Sequence, residues 1–120
     1  MILIVEDSSI QRKKMRRLLG DAGYESAEAG DGRSALAFLD EQSDEPELIL
    51  TDLLMPEMDG VQLLEALQAR GSTIPVIVLS ADIQESTKKR CYELGVRQFL
   101  QKPIQKEVVL PAIKETLEEK

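Results

Sequence analysis

A chain without histidine has few ways to do chemistry. The 120 residues contain no histidine and one cysteine, Cys91. That excludes a Ser-His or Cys-His nucleophile pair, a histidine metal site and a phosphohistidine. Carboxylates, hydroxyls and lysines must carry any reaction. Five such groups stand directly after short strand-like runs. Glu6 and Asp7 follow residues 2–5, Asp52 follows 48–51, Ser80 follows 76–79, and Lys102, with Pro103 behind it, follows 98–101. Clustered carboxylates repel one another and raise one another's pKa unless a cation sits among them. Magnesium suits such oxygen ligands, keeps several waters and commonly bridges one or two carboxylates to phosphate oxygens. Lys102 and Ser80 would hold the remaining oxygens of a phosphoryl group. The set describes a hard-cation and phosphoryl site in which positioning and charge neutralisation do most of the work. A carboxylate nucleophile giving an aspartyl phosphate is an established route.

The elements that must bring these groups together are read from hydrophobic periodicity. Strands are expected over 2–5, 24–29, 48–51, 76–79 and 98–101, three of them continuous aliphatic runs of the kind buried on both faces of a parallel sheet. Helical spacing lies between them. Met15, Leu18, Leu19 and Ala22 fall at i, i+3, i+4, i+7, with shorter versions in Ala35, Phe38 and Leu39, in Leu63, Leu64 and Leu67, and in Val109, Ile113 and Leu117. Gly20, Gly23, Gly32, Gly71 and Gly95 fall where helices should stop or loops turn. Asp31-Gly32 and Asp59-Gly60 each precede a helical pattern. Strands alternating with helices imply one α/β domain over 1–120, a doubly wound five-stranded parallel sheet with five helices. In such sheets function collects at the carboxyl ends of the strands, near the point where strand order reverses. The second strand, expected at an edge, delivers no comparable group.

Composition narrows the function classes. Apolar residues make up 42% and charged residues 31%, ordinary for a globular chain. With 22 acidic and 15 basic residues the formal charge is −7. Nucleic-acid affinity comes mainly from neutralising phosphates with Lys and Arg, so a polyanion partner is not expected. No apolar stretch approaches the roughly 20 residues of a membrane span. The lone cysteine excludes an internal disulfide. A cytoplasmic protein is expected, with no membrane partner.

Glu6-Asp7 after a strand, Asp52 opening Asp-Leu-Leu-Met-Pro-Glu-Met-Asp-Gly, Leu79-Ser80-Ala81, and Lys102-Pro103 resemble the receiver domains of two-component response regulators, over essentially the whole chain. The nearest in size are single-domain, chemotaxis-type regulators. The resemblance implies the flavodoxin-like strand order 2-1-3-4-5, which spacing alone does not supply. It implies Asp52 as phosphoacceptor, with magnesium bound by Asp7, Asp52 and the Leu54 backbone carbonyl, and by Glu6 through water. It implies that Ser80 and Lys102 contact the phosphoryl oxygens, that Phe99 is the switch aromatic, and that the Lys102–Pro103 peptide is cis. Leu54 and Asp82 occupy positions flanking the path of the hydrolytic water and are expected to set the lifetime of the phosphorylated state. The donor would be a histidine kinase or histidine phosphotransfer protein. The output partner would be a protein reading the surface of the fourth helix, fifth strand and fifth helix, with the receiver a monomer or weak dimer. The resemblance thus implies a signalling switch with self-assisted phosphotransfer and autodephosphorylation rather than an enzyme. Three positions depart from the commonest pattern: Glu6 stands where Asp is more frequent, Ser80 where Thr is, and Phe99 lacks the hydroxyl of Tyr.

Other readings stay open beside this one. The chain is either free-standing, or a receiver cut from a larger response regulator or hybrid sensor kinase, or a degenerate receiver that only binds. An Asp-x-Asp hydrolase is disfavoured because Leu54, not an acid, follows Asp52 by two positions, and no Gly-rich nucleotide loop follows the first strand. Asp52 could cap a turn, and Asp7 is a candidate cap for the first helix. Arg12, Lys13, Lys14, Arg16 and Arg17 make the first helix basic, either as a solvated face or as a docking surface for the donor. Cys91 reads as core, and Pro111 as a tolerated kink within the last helix.

Overall fold

The computed structural model describes residues 1–55, 58–81 and 84–119. Strands and helices alternate: β1 (Ile2–Val5), α1 (Ser9–Asp21), β2 (Ser26–Ala29), α2 (Gly32–Glu41), β3 (Leu48–Asp52), α3 (Gly60–Ala69), β4 (Val76–Ser80), α4 (Glu85–Glu93), β5 (Gln98–Gln101) and α5 (Lys106–Glu118). All neighbouring strands pair in parallel, in the order β2-β1-β3-β4-β5. β1, β3 and β4 are buried along their whole length, which explains why they read as aliphatic runs up to Thr51, Asp52 and Ser80. β2 is an edge strand, begins two residues later than expected, and is only partly covered over Ser26, Ala27 and Glu28. Its half-polar pattern belongs to that edge position.

The two faces of the sheet bury different helices. Ile2, Ile4, Leu48, Leu50, Ile77 and Leu79 pack against Leu19 of α1 and against Val109, Ala112 and Ile113 of α5. Leu3, Val5, Ile49, Val76 and Val78 point the other way, onto α2, α3 and α4 through Ala35, Leu63, Leu64, Leu67 and Cys91. The period-2 alternation of each strand thus sorts two cores. Cys91 is fully buried in the second of them, as expected of a core residue. The chain winds from β1 out to β2 and then returns across β1 to β3. That reversal places α1 and α5 on one face and parts the loops that leave β1 and β3.

Local sequence sets the helix ends. Asp31 caps α2 by accepting from the Ser34 N–H at 2.7 Å, and Asp59 with Gln62 forms a reciprocal capping box at the start of α3. The cap of α1 is Ser8, whose Oγ accepts from the Gln11 N–H at 3.3 Å. Asp7 therefore does not cap the helix, and its carboxylate is left to the site. Gly20, expected to mark a helix end, lies within α1. The stop comes at Gly23, where φ is +89°. There the Tyr24 N–H donates to the Leu19 carbonyl and the Gly23 N–H to the Gly20 carbonyl. A left-handed φ costs glycine no Cβ clash, and these two hydrogen bonds satisfy the Leu19 and Gly20 carbonyls near the end of the helix. Pro111 sits inside α5, and the helix continues through it to Glu118.

Candidate functional site

Strand register alone assembles the acidic part of the site. Val5 lies opposite Thr51 in the β1–β3 ladder, so the next residues on the two strands, Glu6 and Asp52, emerge side by side. Asp52 in turn pairs with Leu79, one residue before Ser80. Asp7 follows Glu6 in the turn that leads to α1. Among the described residues, Glu6, Asp7 and Asp52 form a group whose ligand oxygens all lie within 4.8 Å of one another. Glu6 and Asp52 are buried and Asp7 is exposed, so the cluster opens to solvent on one side.

Lys102 reaches this cluster from the end of β5. Its Nζ donates to Glu6 Oε1 at 2.9 Å, to Asp52 Oδ2 at 3.0 Å and to Gln11 Oε1 at 2.9 Å. Those three bonds use all the protons of an ammonium. The Lys102 backbone N–H donates to the Ser80 carbonyl at 2.8 Å, which ties the loop after β5 to the end of β4. The Lys102–Pro103 peptide is cis, as the family resemblance implies. Burial disfavours the charged ammonium, but the hydrogen bonds and charges of Glu6 and Asp52 outweigh it, so Lys102 titrates above the ordinary lysine range. Asp7 is pushed the other way from a paired carboxylate. A hydrogen bond with the Glu6 carboxyl, some burial and the Glu6 charge together raise its pKa, against a smaller pull from Lys102.

The phosphoacceptor candidate is firmly seated. Asp52 Oδ1 accepts from the Leu53 N–H at 2.8 Å, and the Thr51 hydroxyl donates to the Asp52 carbonyl at 2.8 Å. Oδ2 is the oxygen that faces Lys102. Gly60, which opens α3, donates its N–H to the Leu53 carbonyl at 2.8 Å. A Cβ on Gly60 would fall against the Asp52 carbonyl oxygen and within 2.7 Å of Leu53 Cα. Glycine is needed here because helix and strand backbones meet without room for a side chain.

The remaining expected residues take these places. Ser80 ends β4, fully buried. Phe99 lies on β5 opposite Val78 and packs, partly exposed, against the α2–α3–α4 core. Ser80 is two residues past Val78, so strand alternation turns it toward the same face as Phe99. Leu54 stands two residues beyond Asp52, 67% exposed. Asp82 lies outside the described residues.

Two contributors escaped the reading of the sequence. Gln11 holds Lys102 from α1, and nothing in its spacing distinguishes it from a surface residue. Arg12 looked like one member of a basic run. Instead its Nη1 donates to the carbonyls of Glu6 at 2.6 Å and Asp7 at 3.2 Å, while Nε donates to Glu28 Oε1 at 3.1 Å. Arg16 meets the other oxygen of Glu28 at 2.9 Å. Hydrogen bonding by Arg16, opposed by burial and joined by Arg12, holds the Glu28 carboxyl below the usual range. The basic helix is thus divided: Arg12 and Arg16 bind β2, whereas Lys13, Lys14 and Arg17 face solvent. Beside the charged cluster a cavity of about 490 Å³ extends between α1 and the loop after β5, with Met15, Leu18 and Ile104 on its apolar wall.

A receiver-domain model for response regulators matches residues 2–114. The chain belongs to the response regulator receiver family. It is similar to the sensor histidine kinase RcsC of Escherichia coli K12, at 38% identity over 117 residues; these cover 98% of this chain and 12% of RcsC. The chemotaxis protein CheY of Bacillus subtilis is 36% identical over 117 residues, covering 97% of this chain and 96% of CheY. Among solved structures, the signal receiver domain of a histidine kinase from Syntrophus aciditrophicus superposes with a TM-score of 0.86 at 36% identity, over 98% of this chain and 89% of that one. The chain therefore spans about an eighth of RcsC and nearly all of CheY. As a receiver of two-component signalling it has the flavodoxin-like order that the resemblance implies. No helix among the described residues is long and apolar enough to cross a membrane.

Proposed function

We propose that this receiver is phosphorylated on Asp52 and that the modification switches its affinity for a protein partner. The observation that carries the reading is Lys102 Nζ at 3.0 Å from Asp52 Oδ2, inside a cluster of carboxylates fit for a hard cation. Asp7 and Asp52 would hold Mg2+ directly, with the Leu54 carbonyl, and Glu6 would act through water. An all-oxygen donor set with an open side suits that ion. Bound there, magnesium would neutralise the charge that gathers on the transferring phosphoryl group.

The chain's own residues then do the following. Asp52 presents an oxygen to the phosphorus of a phosphohistidine on a histidine kinase or phosphotransfer protein. An O–P bond forms as the N–P bond breaks, and the imidazole leaves with the electron pair. Lys102 exchanges its bonds to the carboxylates for bonds to phosphoryl oxygens, and the Ser80 hydroxyl donates to another. Phe99, on the same face as Ser80, follows inward. The new arrangement biases two pre-existing states of the α4–β5–α5 surface, by as much as the contacts differ between them. Water later attacks the aspartyl phosphate, at a rate set in part by the exposed Leu54 beside it. The receiver itself turns over no separate substrate. We place it in the cytoplasm, as a monomer or weak dimer. The same site serves a free-standing regulator of CheY size or a module of a longer chain such as RcsC.

Amide NMR spectra with Mg2+ and phosphoramidate test this. Shifts are expected at Asp52, Ser80 and Phe99 and across α4–β5–α5, all absent in Asp52→Asn. A spectrum that changes only near Asp52 would refute the switching surface, and one that does not change would refute phosphorylation.

A further inference from the structure

We propose that Arg12 is a positioning residue for the cation site, holding the turn through Glu6 and Asp7 in the shape that presents both carboxylates. The inference rests on the magnesium reading given above. Glu6 and Asp7 leave the sheet at the end of β1 and enter α1 within two residues, so their side chains aim only as well as this short backbone is fixed. Its geometry is held from both sides. The Ser8 N–H donates to Glu6 Oε2 at 3.1 Å. From the other side one guanidinium nitrogen of Arg12 bonds the Glu6 and Asp7 carbonyls together.

The anchor of that guanidinium is remote from the turn. Glu28 lies on the edge strand β2, opposite Ile4 of β1, and accepts from Arg12 Nε. Arg12 therefore links a neighbouring strand to the backbone of the two acidic residues, and its side chain is only 21% exposed. A planar fork with separate donors suits this bridging, whereas the single ammonium of lysine bonds from one point. A simple clasp between α1 and β2 would need only the Glu28 contact, which Arg16 also makes. What sets Arg12 apart is the pair of bonds to the carbonyls. Groups that orient metal ligands from behind commonly contribute 10- to 100-fold in affinity.

Mg2+ is titrated calorimetrically into the parent, Arg12→Ala, Arg12→Lys and Arg16→Ala proteins, with circular dichroism to establish that each is folded. Arg12→Ala is expected to bind Mg2+ about tenfold more weakly, with phosphorylation by acetyl phosphate restored at saturating Mg2+. Arg12→Lys should lose several-fold, and serves alone if the alanine variant fails to fold. Arg16→Ala, which loses an ion pair to the same Glu28 but no bond to the turn, should bind as the parent does. Affinities of the Arg12 variants within twofold of the parent would overturn the inference while leaving the magnesium reading intact. Equal losses in Arg12→Ala and Arg16→Ala would reduce Arg12 to a clasp and overturn it as well. A folded parent that takes up no Mg2+ would overturn both.

Discussion

Among the described residues, Lys102 is the cation whose Nζ meets the carboxylates of both Glu6 and Asp52, so Lys102→Met tests what holds this cluster together. The substitution keeps an apolar stem of similar reach and removes the ammonium. Two hydrogen bonds to carboxylates disappear, with a third to Gln11, and the two carboxylates left behind have side chains only 9% and 11% exposed. Such bonds contribute roughly 1.5–3 kcal/mol each, and removing one partner of a buried pair leaves an uncompensated charge. Some solvent reaches the cluster through Asp7, which keeps the expected cost near the lower end, about 3 kcal/mol in chelator at neutral pH. For a domain of this size that lowers Tm by about 12 °C. The sign with pH follows from the raised Lys102 pKa. The parent's advantage is fully present below the ordinary lysine value, about 10.4, and is lost only as pH rises through the higher folded value. The variant should also bind Mg2+ more tightly, because ammonium and metal compete for the same oxygens. Thermal melts with and without Mg2+, at neutral and alkaline pH, decide it. A Tm within about 2 °C of the parent, or weaker Mg2+ binding, would refute this account of the cluster.

Asp7→Asn should do the opposite in chelator. The Asp7 pKa is raised, so its ionisation costs stability that is present below the ordinary aspartate range and lost as pH rises through the folded value. The variant should melt slightly higher than the parent near neutrality and identically in acid, and Mg2+ should no longer raise its Tm. Glu28→Gln should lower stability by about 1 kcal/mol at pH 7. Its carboxyl is depressed by Arg16 and Arg12, so the difference is present above the ordinary glutamate range and fades as pH falls through the folded value. Urea melts at two pH values read this directly. Gly60→Ala should cost about 3 kcal/mol in urea melts and abolish phosphorylation, because the added Cβ meets the backbone at Asp52 and Leu53. Pro111→Ala should raise Tm, by restoring a donor to the Glu107 carbonyl within α5.

Much of this was legible in the sequence, for identifiable reasons. β1, β3 and β4 are buried on both faces, so their runs are aliphatic apart from Thr51, and the polar residue that ended each run marked the site. Lys102 meets residues 96 and 50 positions away, yet the rule that function gathers at strand ends was enough to place it. Edges and caps were less legible. β2 is half-exposed, so Tyr24 and Glu25 passed for strand. Ser8 and Asp7 are both good caps by type, and only geometry shows which carbonyls and amides they meet. Arg12 and Gln11 were hidden for a different reason. A helix's polar residues look alike until tertiary structure decides which of them reach a neighbouring strand.

The claim at the centre of this account is that Asp52 takes the phosphoryl group. Intact mass spectrometry of the protein with Mg2+ and acetyl phosphate, beside Asp52→Ala, tests it most directly. The parent should gain one phosphoryl group, about 80 Da, and lose that gain with the substitution or with chelator. A gain that survives Asp52→Ala, or none with any small phosphodonor, would contradict it.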